Sequence, residues 1–154
     1  MLDAYGRRID YLRISVTDKC NLRCTYCMPA HGVPVRSHDE VLRAEQYLQV
    51  VRAAAMLGIT KVRITGGEPL VRRGILERIR AISDVPGIAQ IGLTTNGVLL
   101  SRMASELRRA GVTHLNVSLD TLDPDDYRRI TRGGDVNRVL DGIAAAKAAG
   151  FTGI

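Results

Sequence analysis

The chain has 154 residues, 45% hydrophobic and 25% charged, which is ordinary for a globular protein and long enough for one domain with a real core. Its net charge of +6 suits an anionic ligand, but six aromatic residues, no Trp and no helix-turn-helix or zinc-finger pattern make nucleic acid an unexpected partner. No apolar run approaches the roughly 20 residues of a membrane span, the N-terminus lacks the form of a signal peptide, and cysteines without an export signal predict a cytoplasmic protein with no membrane contact.

The first predicted element is a strand over residues 11–16, with Leu12, Ile14 and Val16 on one face and Arg13 and Ser15 on the other. It leads through Thr17-Asp18-Lys19 into Cys20-Asn21-Leu22-Arg23-Cys24-Thr25-Tyr26-Cys27, which holds all three cysteines of the chain. An odd, clustered set cannot form a complete disulfide framework, and structural cysteines would be scattered through the core. Three thiolates this close can converge on one metal centre, one short of the four ligands of a closed site. Two metals compete for them. Zinc would take His31 or His38 as its fourth ligand, and a four-iron cluster would leave one iron open; the spacing alone does not decide.

From there an amphipathic stretch, a glycine and a short β-like run recur four times, with Gly58, Gly87, Gly111 and Gly150 at the junctions. Glycine is favoured at the left-handed position just beyond a helix. The second strand, 61–65, sets Val62 and Ile64 against Arg63 and Thr65, and runs directly into Gly66-Gly67-Glu68-Pro69. The glycine pair lets backbone approach a ligand closely, and the adjacent carboxylate suits a ligand with an ammonium group. The third strand, 91–94, opposes Ile91 and Leu93 to Thr94; Thr95 and Asn96 read as its terminators. A helix over 100–110 gathers Leu100, Met103, Ala104, Leu107 and Ala110 on one face. The fourth strand, 115–120, opposes Leu115, Val117 and Leu119 to Asn116, Ser118 and Asp120, with Asp120 read as a helix cap. Asp135 is the expected N-cap of the last helix, whose apolar face is Val136, Val139, Leu140 and Ile143.

Strands alternating with helices predict an α/β protein: parallel βα repeats forming part of an open, incomplete TIM-like barrel. The strand faces carrying Arg, Thr, Asn and Ser are read as its concave inside, where a polar ligand sits, in preference to an open sheet with one solvated face. After Gly150 only four residues remain, so the chain is expected to stop inside a fifth strand, as a fragment or as a chain completed by a partner.

The run from Arg13 to Pro29 resembles the signature of radical S-adenosylmethionine (SAM) enzymes. Within that superfamily the chain is similar to the molybdenum cofactor biosynthesis protein A type, GTP 3′,8-cyclase. The similarity rests on Gly6-Arg7, the Met28-Pro29 pair, residues 63–70, Gly92 to Gly97 and Asn116 to Asp120. The resemblance implies a [4Fe–4S] cluster on Cys20, Cys24 and Cys27, with SAM on its open iron. It implies SAM contacts at Tyr26, Gly67 and Ser118, with Gly66, Gly67, Glu68 and Pro69 near the amino group. Arg13, Arg63 and Thr94 would face GTP, and an electron donor protein would supply the reducing electron. Complete members continue into a second-cluster region that is absent here. Residues 1–154 are therefore expected to be the N-terminal part of a radical SAM core domain, inactive alone, with a complementing chain or a homo-oligomer as possible partners. A branched side chain at Gly67 is expected to block SAM and leave cluster content unchanged, because the cysteines lie on another loop.

Overall fold

The structure is a computed structural model and describes residues 2–34 and 42–154; His38, one of the two histidines expected as a zinc ligand, lies outside them. Four strands, β1 (Tyr11–Ser15), β2 (Lys61–Thr65), β3 (Gln90–Thr95) and β4 (His114–Val117), form one parallel sheet in chain order. The register aligns Ile14 with Ile64, Ile64 with Leu93 and Leu93 with Leu115, so one apolar row crosses the whole sheet. All four side chains are buried.

Helices cover this apolar face, as the two-residue period of the strands requires. They are α1 (Ala44–Met56), α2 (Ile75–Ser83), α3 (Leu100–Arg109) and α5 (Val136–Ala148), while α4 (Pro124–Thr131) packs on α5 around a second, smaller apolar cluster. Val51 of α1, Ile79 of α2, Leu107 of α3 and Ala146 of α5 meet the strand residues in one core, each fully buried. Burying a side chain the size of Ile79 or Leu107 stabilises by about 1.5–3 kcal/mol. The aliphatic stripe read for α3 is the buried one, and Asp135 caps α5 by accepting from Asn137 N at 3.0 Å.

All four junction glycines have positive φ, between 86° and 106°. At Gly58, Gly111 and Gly150 the glycine's own amide and the one after it fold back onto helix carbonyls; at Gly111 the bonds are Gly111 N to Arg108 O and Val112 N to Leu107 O. Gly87 works differently. Its helix has already ended, and Ile88 N closes a separate turn on Val85 O across Pro86-Gly87.

Two expectations are corrected. The fourth strand ends at Val117, not at residue 120; Ser118 N still bonds Thr95 O, but Leu119 has turned away to join a second apolar cluster. Residues 151–154 form no strand, and Gly153 O accepting from Leu115 N is their one backbone bond to β4. Helix α4 was not foreseen. Its first turn is Pro124-Asp125-Asp126, and only Tyr127 and Thr131 are buried, so it carries no apolar stripe to read.

Candidate functional site

Loops leaving the C-terminal ends of the four strands enclose an open cavity of about 250 Å³. Cys20, Cys24 and Cys27 line it as free thiols. Of the expected SAM-contacting residues, Tyr26, Gly66, Gly67 and Ser118 line the same cavity; of those expected to face GTP, Arg13 and Thr94 do. Glu68, Pro69 and Arg63 are not in its lining.

The cysteine segment is a tight turn, with Cys27 N and Met28 N both donating to Cys24 O. It docks on the C-terminal end of α4, whose last carbonyls have no partner within the helix. Thr25 N bonds Ile130 O at 2.8 Å and Arg23 N bonds Thr131 O at 3.2 Å. Arg132 then donates through one Nη to Arg23 O at 2.9 Å and to Met28 O at 2.8 Å, bracketing the turn. Arg132 does this from a left-handed backbone, φ 55°, the one such non-glycine among the described residues.

The Gly66-Gly67 turn packs on the backbone ahead of the cysteines. Gly67 N donates to Thr17 O at 2.7 Å and Glu68 N to Lys19 O at 2.8 Å. A Cβ on Gly67 would stand 2.4 Å from Lys19 O, and one on Gly66 would stand 2.5 Å from Thr17 O. The bare backbone at Gly67 is therefore required by the cysteine loop as well as open to the cavity. This overturns the expectation that a side chain there would leave the cysteines alone.

Glu68 is 1% exposed, and its carboxylate is taken up by the chain itself. It accepts from Asn96 N at 2.7 Å, from Thr95 Oγ1 at 2.8 Å and from Leu70 N at 3.0 Å. Burial pushes its pKa above the ordinary carboxyl value, against the pull of these three donors. Asn96, read from sequence as a strand terminator, continues the linkage: its Nδ2 donates to Asn21 Oδ1 at 2.8 Å and lies 3.8 Å from Cys20 Sγ.

Asp120 is not the helix cap it was taken to be. Asp123 caps α4, accepting from Asp125 N and Asp126 N. Asp120 lines the cavity and accepts from the Tyr26 hydroxyl at 3.1 and 3.3 Å. Desolvation and this carboxylate push the Tyr26 hydroxyl up to about 12. Burial, then the neighbouring Cys20, Asp120 and Cys27, pushes the Cys24 thiol up. On the polar face Arg13 and Arg63 are register partners on adjacent strands. Arg63 bonds Asn116 and stacks over the Tyr11 ring, whereas Arg13 is exposed, its one described hydrogen bond a long 3.4 Å contact with Thr65 Oγ1.

Tyr127 and Thr131, on the unforeseen α4, complete the wall beside the cysteines. Among the described residues no three His, Cys, Asp or Glu side chains are gathered closely enough to hold a single metal ion, and His31 is exposed outside the cavity lining. Three thiols ranged around a cavity and a glycine turn open to it fit a cluster with a further ligand better than one zinc ion.

The chain spans about half the length of the curated relatives it matches. It is 58% identical over 98% of its length to a GTP 3′,8-cyclase of Geobacter sulfurreducens, covering 46% of that protein. It is 56% identical over 99% of its length to a GTP 3′,8-cyclase of Alkaliphilus oremlandii, covering 48% of it. Among solved structures, SuiB of Streptococcus suis bound to its precursor peptide SuiA superposes with a TM-score of 0.76 at 23% identity, over 92% of this chain and 31% of that one. Methylornithine synthase superposes with a TM-score of 0.74 at 18% identity, over 96% and 44%. The model of the radical SAM superfamily matches residues 14–154. From within β1 to the last residue, through the cysteine turn and the Gly-Gly loop, this chain belongs to the radical SAM superfamily, whose enzymes use a [4Fe–4S] cluster and SAM.

Proposed function

We propose that the chain supplies the cluster-, SAM- and phosphate-facing part of a GTP 3′,8-cyclase of molybdenum cofactor biosynthesis, as part of a radical SAM core domain. The observation that carries this reading is that Arg13 and Thr94 open into the cavity lined by the three cysteines, in a chain 58% identical to a protein of that name. Cys20, Cys24 and Cys27, once deprotonated, hold the cluster. When bound, the cluster and SAM supply radical hydrogen abstraction. The Gly66-Gly67 turn would offer bare backbone to SAM, and Tyr26, oriented by Asp120, and Ser118, which line the same cavity, would hold it.

Arg13 and Arg63 set two positive charges side by side on one sheet face, which disfavours the face unless an anion lies across it. The guanidinium fork donates two parallel hydrogen bonds to a phosphate, so both residues are assigned to GTP. An electron donor protein and the further length seen in relatives complete the reaction.

The test is a chimera in which these 154 residues replace their counterpart in the Geobacter sulfurreducens relative, assayed anaerobically with SAM and GTP by mass detection. A cyclised nucleotide is expected, and Arg13→Ala should abolish it while leaving SAM cleavage intact. A chimera that cleaves SAM and returns GTP unchanged would assign the segment to another substrate.

A further inference from the structure

Tyr127 is 1% exposed, and its hydroxyl oxygen has neither solvent access nor a hydrogen-bond partner among the described residues. Buried phenols normally find a partner, and nothing about the position forces this one to go without. The ring is wedged in place: Leu22, Val98, Val136 and Val139 pack in its cluster, and a Cβ on Gly134 would stand 2.8 Å from its Cε1. Cys20 and Cys24 pack against the same apolar cluster, and Tyr127 lines the cavity that holds all three cysteines. The hydroxyl is thus a fixed, buried and unpartnered donor on a ring whose apolar cluster also takes up Cys20 and Cys24.

We infer that the Tyr127 hydroxyl donates a hydrogen bond to the Cys24 thiolate that ligates the iron–sulfur cluster, and raises the reduction potential of that cluster. A donor to sulfur favours the reduced cluster, which carries one more negative charge, and hydrogen bonds to the sulfurs are among the determinants of cluster potential. The inference rests on cluster ligation by Cys20, Cys24 and Cys27 and is independent of the substrate. Tyr127 is a tuning residue, and its ring keeps its packing role whether or not the hydroxyl is present.

The variant is Tyr127→Phe, which removes one oxygen and keeps the ring. In the cluster-free protein the hydroxyl has no partner to lose, so thermal stability should be unchanged or slightly higher. After anaerobic reconstitution, iron and sulfide content should equal the wild type. A redox titration followed by electron paramagnetic resonance, without SAM, should then show the variant harder to reduce. About a tenfold fall in its reduced-to-oxidised ratio at fixed potential is expected, which for a one-electron couple is about 59 mV. Equal potentials in the two proteins would overturn the inference and leave the ligation intact; an ordered water bonded to the hydroxyl would give that result. A cluster-free variant less stable than the wild type would also overturn it, by showing that the hydroxyl bonds the protein. Failure of the wild type itself to take up iron would instead remove the ligation on which the inference stands.

Discussion

Gly67→Ala is the most direct test of how the Gly-Gly loop and the cysteine loop depend on each other. The added Cβ would lie 2.4 Å from Lys19 O and 2.8 Å from Asp18 O, so the two loops must part by about 1 Å before the contact reaches the 3.4 Å of ordinary packing. Gly67 has no left-handed φ to protect, so backbone strain plays no part. Parting the loops stretches Gly67 N to Thr17 O and Glu68 N to Lys19 O, now 2.7 and 2.8 Å. At roughly 0.5–1.5 kcal/mol each, losing both costs about 1–3 kcal/mol. Because Lys19 immediately precedes Cys20, the displacement passes straight into the first thiol. Expected outcomes are a lower melting temperature for the cluster-free protein and reduced iron and sulfide after anaerobic reconstitution, alongside weaker SAM binding. Full iron content with SAM binding alone lost would refute the reasoning, because the turn would then serve only the cofactor.

Glu68→Gln places an amide donor against Asn96 N, Leu70 N or Thr95 Oγ1, so one buried donor is left unmatched; denaturant unfolding should show a loss of about 1–3 kcal/mol. Burial holds Glu68 above its ordinary 4.5, so its contribution is fully present below the unfolded value and is lost as pH rises through the folded one. The wild type's margin over Glu68→Gln should therefore narrow as pH rises from 4.5, and a widening margin would mean that the three hydrogen bonds outweigh the burial. Arg132→Gly removes the clamp on Arg23 O and Met28 O but relieves a left-handed residue, a strain of about 1–2 kcal/mol. Melting should barely move, while a chelator should strip iron faster than from the wild type; equal stripping rates would show that the clamp does not hold the turn. The triple Cys20→Ala, Cys24→Ala, Cys27→Ala variant should retain no reconstituted iron, and parent-level iron would refute the ligand assignment.

The sequence exposed whatever repeats locally. The strand faces, the aliphatic stripe of α3 and the glycine after each repeat are read over a few residues, and the structure keeps them. What escaped depends on partners distant in the chain. Glu68 looks like a ligand contact until Asn96 and Thr95, 28 and 27 residues away, are seen to fill its oxygens. Asp120 looks like a cap because the better one, Asp123 before Pro124, belongs to a helix with two buried side chains and no apolar period. Tyr127 and Arg132 were missed with that helix. The pattern Asp123-Pro124 was the available signal, since a capping residue followed by proline marks a helix start.

The bonds running from Thr17 and Lys19 through Gly67 and Glu68 to Asn96, and from Asn96 back to Asn21, close a ring through three loops of different strands. Such a ring behaves as one rigid part, with Glu68 as its hub. The cysteine segment is accordingly not a portable motif. Transplanted by itself onto another parallel sheet, it would arrive without its bracing, its thiols free to wander. The smallest unit that can be moved intact joins residues 16–28, 65–70 and 95–98 with the end of α4, and change in any one of these segments is constrained by the other three.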